Sequence, residues 1–329
     1  MRVTPNCDTI NSFFVSKCYG IQFFPDVAFG GGNYLVTWSD QRSGYYRIYC
    51  TRVSPSGQVD DTLGTQVGPI STDNQNYSAI AFTGSRFYVV WVNVATSGFY
   101  MGARFVEING QPSDTFRLNS GVNAVTITRL AYDGSNFMLV WLEGDSLKGQ
   151  RIAGSGNPTG SPFLIAAPVS SASADLCFDG SNYFVTWASG QIWGRKYDRN
   201  GNPVGGAFQV SSSTYGQTAP DVVVGANNRY FNVWCESRVS PDIYGNLDVA
   251  INGVVEEKGS GRSLIRLESS VVRDMVRIQG GRGIDLRLYD SSGRRVAASK
   301  AGYFRVSRLP AGIYFIEAPQ QRWKVVSVH

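Results

Sequence analysis

Residues 33–38 read NYLVTW, and the same signature returns as RFYVVW at 86–91, NFMLVW at 136–141, NYFVTW at 182–187 and RYFNVW at 229–234. The closing tryptophans are Trp38, Trp91, Trp141, Trp187 and Trp234, so the spacing is 53, 50, 46 and 47 residues. Each has an aromatic residue four places earlier: Tyr34, Phe87, Phe137, Tyr183 and Tyr230. A fixed period of this length is the mark of a repeat architecture. Working outward, a short apolar run precedes every signature (PDVAF 25–29, SAIAF 78–82, RLAYD 129–133, DLCFD 175–179, PDVVV 220–224), joined to it by a tight turn rich in Gly, Asn and Ser. That is a β-hairpin. A third run follows (IYCTRV 48–53, YMGARF 100–105, LKGQRI 147–152, IWGRKY 192–197, IYGNLD 243–248) and ends at a Ser-Gly or Asn-Gly turn. A fourth, at 66–70, 116–120, 163–167 and 208–212, completes the first four units.

Four antiparallel strands per repeat of roughly 47 residues, with no helical period between them, predict the blades of a β-propeller. The fold class expected is all-β: a five-bladed β-propeller over 13–253, then a small C-terminal β-sandwich over 263–329. Residues 1–12 form an N-terminal extension and 254–262, VVEEKGSGR, a linker. The fifth unit lacks a fourth strand, and Phe13-Phe14-Val15-Ser16 at the other end of the chain is expected to supply it and leave no sheet edge open. The competing expectation is a chain that begins inside a ring of six or seven blades.

Composition bounds the chemistry. With 37 glycines in 329 residues and 13% aromatics, the chain belongs to the turn-rich, β-forming class, and no apolar run approaches the ~20 residues of a transmembrane helix. The single histidine is His329, which removes Ser-His-Asp and Cys-His catalysis and His-ligated metal sites from consideration unless that terminal residue is recruited. Of the five cysteines, Cys50, Cys177 and Cys235 fall in apolar strands, while Cys7 and Cys18 could pair in an oxidising compartment. The N-terminus has no apolar core of a signal peptide. Residues 1–258 carry 17 Lys+Arg and 20 Asp+Glu, whereas 259–329 carry 13 and 5. The basic residues of the tail alternate with apolar ones, as in Leu286-Arg287-Leu288-Tyr289, so they read as the outward face of strands and no nucleic-acid partner is expected.

In a propeller the first-strand starts and second-strand ends gather on one face. Here they supply Asp26, Asp175 and Asp221, and, two places past each Trp, Asp40, Asn93, Glu143, Ser189 and Glu236. Such a loose ring of carboxylates suits calcium, although no cofactor is required, or a paired acid and base for glycoside cleavage. Tyr45, Tyr46, Phe99 and Tyr100, in the loops after the Trp strands, suit stacking on sugar rings. Asp40 and Glu236 join these aromatics as ligand-binding candidates. The simpler reading of the in-phase acids is a strand-end cap within each blade. No acid stands out from the repeat as one whose pKa would rise for general-acid work.

In the tail, LRLYDSSGRRV (286–296), LPAGIYFIE (309–317) and a final apolar strand resemble the C-terminal sorting domain of proteins exported by the type IX secretion system of Bacteroidetes-like bacteria. The matching residues are Tyr289, Asp290, Gly293, Arg294, Leu309, Pro310, Ala311, Gly312 and Tyr314, and the match covers only about the last fifth of the chain. Ser269-Ser270 stands where that family has an Asn-Pro turn. The resemblance implies recognition by export machinery and a secreted or cell-surface location. The leading expectation is a non-catalytic exported propeller that binds a carbohydrate or protein ligand. The alternative is a glycoside hydrolase, because five-bladed propellers resemble the arabinanase-type and fructosidase-type enzymes that use channel carboxylates, with Asp26, Glu143 and Asp221 as the acids to test. A structural or adhesive repeat with no special site is the third reading.

Overall fold

The computed structural model describes residues 2–3, 9–169, 173–211, 213–225, 229–237, 241–247, 266–267, 271–272, 275–291, 294–307, 309–318 and 321–327. The chain divides into two compact units, Met1–Gly253 and Val254–His329. Among the described residues it is all-β, and no helix is long and apolar enough to cross a membrane.

The first unit is β-propeller-like. Four successive sheets have four antiparallel strands each: Gln22–Gly30, Asn33–Asp40, Arg47–Val53 and Thr65–Gln66; then Asn74–Phe82, Arg86–Ala95, Gly98–Glu107 and Pro112–Val122; then Val125–Tyr132, Asn136–Glu143, Ser146–Ala153 and Pro158–Ala166; then Ala174–Phe178, Tyr183–Ser189, Gln191–Tyr197 and Pro203–Gln209. A fifth sheet has three described strands, Gly216–Val224, Tyr230–Ser237 and Pro241–Leu247. The Trp signature is the second strand of every sheet. Its alternating residues face opposite neighbours, so both sides of the strand are buried and the run is almost wholly apolar. Four hydrophobic clusters fill the seams between consecutive sheets, with Trp91, Trp141, Trp187 and Trp234 one in each. The third strand runs close beneath. A Cβ on Gly102 would lie 2.9 Å from the Trp91 ring and one on Gly194 2.6 Å from Phe184, which accounts for the glycine recurring in YMGARF and IWGRKY.

The first strands differ from their expected form. In three sheets a bulge sets two residues against the single tryptophan: Phe24 and Pro25 against Trp38, Tyr77 and Ser78 against Trp91, and Ala219 and Pro220 against Trp234. The first residue of each pair is left-handed, at φ 50° for Phe24, 54° for Tyr77 and 50° for Ala219, a conformation costly for residues with a Cβ. Proline is tolerated at such a break because the ladder loses a donor there anyway. An extra residue reverses which side chains point inward. The bulges therefore decide what faces the centre of the unit.

One expectation is corrected here. Phe13–Ser16 is not a strand and does not complete the fifth sheet. Phe13 and Val15, with Ile10, instead lie over the first sheet beside Val27, Tyr34 and Val53, and the Lys17 amide donates to Thr62 O at 3.0 Å. Alternating apolar residues can cover a sheet as readily as extend one, and the apolar face of the first sheet takes them. Cys7 lies outside the described residues, and the Cys18 thiol donates to Leu63 O at 3.6 Å.

In the second unit, Met275–Asp290 pairs antiparallel with Arg295–Arg305 on one side and Gly312–Ala318 on the other, and the latter pairs with Gln321–Ser327. Met275–Asp290 is a single long strand, irregular in register between Arg277 and Leu286. Val276, Ile278, Leu286, Leu288, Phe304, Val306, Tyr314 and Ile316 form its core.

Candidate carboxylate site in the channel

The residue paired opposite the one before each Trp defines a single level of the five first strands: Asp26, Ala79, Arg129, Asp175 and Asp221. Four of these, all except Ala79, line a cavity of about 640 Å³ to which all five first strands contribute. Phe24 and Tyr77, the left-handed bulge residues, line it as well, with ring centroids 4.4 Å apart. Thr128 Oγ1 donates to the carbonyl of Tyr77 and helps fix that bulge.

The three carboxyls differ in surroundings. Asp26 accepts from the Val27 amide through Oδ1 and from the Ile80 amide of the next sheet through Oδ2, both at 2.9 Å. Burial nevertheless raises its pKa, and the charge of Asp221 adds to the rise. Asp175 accepts from the Val222 amide at 2.7 Å and pairs with Arg129, Nε to Oδ1 3.1 Å. Burial first and the negative charge of Asp221 second push Asp175 up to about 7, against the opposing pull of Arg129. Asp221 is exposed to the channel and has no hydrogen-bond partner among the described residues. A carboxyl that holds its proton near neutrality beside another carboxylate, in an open cavity, can donate a proton to a leaving oxygen while its neighbour attacks or activates water.

This shift carries a stability consequence. Because Asp175 is raised above its ordinary value of 3.8, the folded chain binds more protons than the unfolded chain between that value and about 7, and the group's contribution weakens as pH rises through this window. Asp175→Asn removes the titration. The midpoint of thermal unfolding of the variant relative to wild type is expected to climb by several degrees from about pH 5 to about pH 8, at roughly 1.4 kcal/mol per pKa unit. Parallel curves for the two proteins would show an Asp175 with an ordinary pKa.

The other expected acids are elsewhere. Asp40, fully buried, accepts from Trp38 Nε1 at 2.9 Å and from Arg42 at 2.6 Å; burial opposes its ionisation, but Arg42 and Trp38 outweigh it and hold its pKa below the usual range. Glu143 accepts from Trp141 Nε1 at 3.3 Å, Lys148 Nζ at 2.8 Å and the Asn123 amide at 3.1 Å. Glu236, 1% exposed, accepts from Trp234 Nε1 at 3.3 Å, Gln217 at 2.7 Å and Ser213 at 2.8 Å. In the second repeat Asn93 accepts from Trp91 Nε1 at 3.1 Å. The residue two past the Trp thus satisfies the indole N–H of its own sheet in four repeats, and the structure does not bring Glu143 to Asp26 and Asp221. The buried, engaged Asp40 and Glu236 are corrected as ligand contacts for the same reason. The expected aromatics do not line the channel either: Tyr46 packs on Phe23 with centroids 4.6 Å apart, Tyr45 lies near Arg47, Phe99 packs on a hydrophobic cluster, and Tyr100 donates to Asp73 at 2.8 Å. Phe24 and Tyr77 are the aromatic residues that line the channel cavity, and Arg129 lines it as a cation. Among the described residues no group of three or more acidic, His or Cys side chains is arranged to hold a metal ion.

No family model and no curated protein matches the chain. Among solved structures it is similar to a GH43 endo-arabinanase from Bacillus licheniformis (15% identity, 71% of this chain and 96% of that one, TM-score 0.44). It is similar also to an endo-arabinase from Bacteroides thetaiotaomicron (12%, 68% and 92%, 0.41) and to the catalytic domain of a GH62 alpha-L-arabinofuranosidase from Coprinopsis cinerea (14%, 70% and 90%, 0.42). At such identities and TM-scores none of their activities passes to this chain. The expectation of a non-catalytic ligand binder is nonetheless corrected. It rested on the absence of any histidine but His329, on acids in phase with the repeat and on the sorting-like tail. Three of those acids, Asp26, Asp175 and Asp221, share one open cavity with Arg129, where burial and the charge of Asp221 raise the pKa of Asp175, an arrangement that fits the alternative of carboxylate chemistry.

Proposed function

We propose that the first unit is a five-bladed propeller enzyme that hydrolyses glycosidic bonds in its channel. The observation that carries this is Asp175, held protonated up to about pH 7 in an open cavity shared with Asp26, Asp221 and Arg129. Asp175 delivers the proton to the glycosidic oxygen and Asp221 is the carboxylate partner, as the paired-acid chemistry of glycoside cleavage requires. Arg129 orients Asp175, and the Phe24–Tyr77 ring pair gives a sugar an apolar face to stack on. The second unit, as a small β-sandwich, is an export signal of the type IX kind that delivers the enzyme outside the cell or to its surface. Supporting this are the tight turn in which Asp290 accepts from Arg294 N and Nε, both at 3.0 Å, and the Tyr314 hydroxyl donating to Pro310 O at 2.8 Å. Gly293 of the same motif lies outside the described residues.

The test is release of reducing sugar from a panel of plant and microbial polysaccharides, arabinan among them, by the full chain across about pH 4 to 9. Hydrolysis of at least one member, lost in the Asp26→Asn/Asp221→Asn double variant, is expected. Hydrolysis that survives in that variant, or none on the whole panel, overturns the reading.

A further inference from the structure

Behind Asp175, on the side away from the channel, lies the seam between the fourth and fifth sheets. Asp175 is in register with Thr186 of its own Trp strand, so the two side chains share a face of the fourth sheet. That face is turned to the fifth sheet, because Asp175 reaches across it to the Val222 amide. Val222 is in register with Asn232, and Tyr230 and Trp234, two places either side of Asn232, join Val222 in the cluster that fills this seam. Thr186 and Asn232 therefore enter one seam from opposite sheets. They are 0% and 1% exposed, and Thr186 Oγ1, Asn232 Oδ1 and Asn232 Nδ2 have no hydrogen-bond partner among the described residues.

The repeat itself shows that neither polar group is needed for packing. The place of Asn232 is taken by Val36, Val89, Leu139 and Val185 in the other sheets, and that of Thr186 by Val90, Val140 and Val233 in three of them. The remaining counterpart, Thr37, has a partner: its Oγ1 lies 3.0 Å from Ser78 Oγ of the second sheet. The residue that matches Ser78 opposite Thr186 is Pro220, which has no hydroxyl. A hydroxyl and an amide shut in an apolar seam lose their bonds to bulk water, and groups of this kind are met in folded proteins by a buried water that bridges them.

We infer that the seam between the fourth and fifth sheets holds a buried water between the Thr186 hydroxyl and the Asn232 amide, and that these two residues position Asp175 from behind. A water donates to one group and accepts from the other. Polar groups on that side lessen the cost of ionising the acid, oppose the effect of its burial, and keep its proton within reach of release near neutrality. The other groups that act on Asp175 are Arg129 from the third sheet and Asp221 from the fifth, with Cys177 on its own strand. The catalytic consequence rests on the reading of Asp175 as the proton donor; the water and the titration do not.

Asn232→Val and Thr186→Val each install a residue that three sister sheets carry, so the seam stays filled. In the full chain, the pH at which Asp175 titrates is read from the unfolding midpoint of each variant minus that of the same variant carrying Asp175→Asn, which requires no hydrolysis. Both changes are expected to move the upper end of that window up by roughly one pH unit, and the pair together by less than the sum. Thr186→Ser keeps the hydroxyl and is expected to titrate as wild type does. On a hydrolysed polysaccharide the alkaline limb of the rate should move with the titration while KM stays put. A crystal structure of the full chain is expected to show a water within hydrogen-bond distance of Thr186 Oγ1 and the Asn232 amide. An Asp175 that titrates at the wild-type pH in both valine variants, or a dry seam in the crystal, overturns the inference and leaves glycoside hydrolysis standing. A titration that shifts in a protein that hydrolyses nothing supports the inference and overturns only the hydrolytic reading.

Discussion

Asp175→Asn is expected to lower glycoside hydrolysis by about 10²–10⁴-fold, the range for losing a positioned acid, while leaving the sheets folded. Asparagine occupies the same volume, and its Oδ1 can still accept the Val222 amide that Asp175 holds at 2.7 Å. Arg129 then faces an amide rather than a carboxylate, but it is 40% exposed and can turn toward water. The loss therefore falls on the proton and not on the scaffold. Wild type should lose activity as pH rises through about 7, where Asp175 deprotonates, and the residual activity of the variant should lack that limb. Glu143→Gln is the informative control. Its carboxylate is committed to Trp141, Lys148 and Asn123, away from the cavity, so its activity should stay within a factor of a few of wild type. Rates and pH profiles of the three proteins on one hydrolysed polysaccharide decide the matter, and a larger loss in Glu143→Gln than in Asp175→Asn would reverse the assignment.

Why Asp175 was legible as a member of the ring but not as its distinctive acid follows from what sequence encodes locally. The hairpins were legible because turn chemistry and the Trp signature act over a few residues. The bulges were not. Phe24, Tyr77 and Ala219 adopt a left-handed backbone against their own preference, so only the assembled sheet imposes it, and with it the side to which Asp26 and Asp221 point. Asp40, Glu143 and Asp175 are equally bare carboxylates in a sequence. They separate only when Arg42 and Lys148 are seen to hold the first two ionised, and Asp221 and burial to hold the third protonated, contacts made across 2 to 46 residues of chain. Arg129 was hidden by a similar accident: it opens RLAYD, at the level where three other repeats have aspartate, and reads as an ordinary strand-end cation. In the tail, one strand runs through Gly280-Gly281 with its register shifted, as glycines in a strand interior permit.

The repeated tryptophans invite the largest stability effect. Trp91 is fully buried, packs with Leu35, Ile48 and Val89 in the first seam, and gives its indole N–H to Asn93, itself 1% exposed. Trp91→Ala removes the ring from a seam whose floor is Gly102, so there is no side chain beneath to collapse into the space. A cavity of that kind costs about 3–5 kcal/mol, and leaving the Asn93 amide oxygen without its donor adds about 1 kcal/mol or more. Over a unit of this size the midpoint of thermal unfolding should fall by roughly 10 °C or more. Trp91→Phe keeps part of the apolar contact while losing the N–H and the smaller ring of the indole, so a fall intermediate between wild type and Trp91→Ala is expected. The corresponding Trp38→Ala should cost less. Asp40 keeps the Arg42 guanidinium when the indole is gone, and Trp38 faces the side of the first sheet that no hydrophobic cluster fills among the described residues. Equal losses at Trp38 and Trp91 would mean that the first sheet is packed on that side as tightly as the others; a markedly smaller loss at Trp38 is expected from the exposed Val27 and Tyr34 on that face. Calorimetry on the two alanine variants therefore reads directly how unequally the two sides of the first sheet are packed.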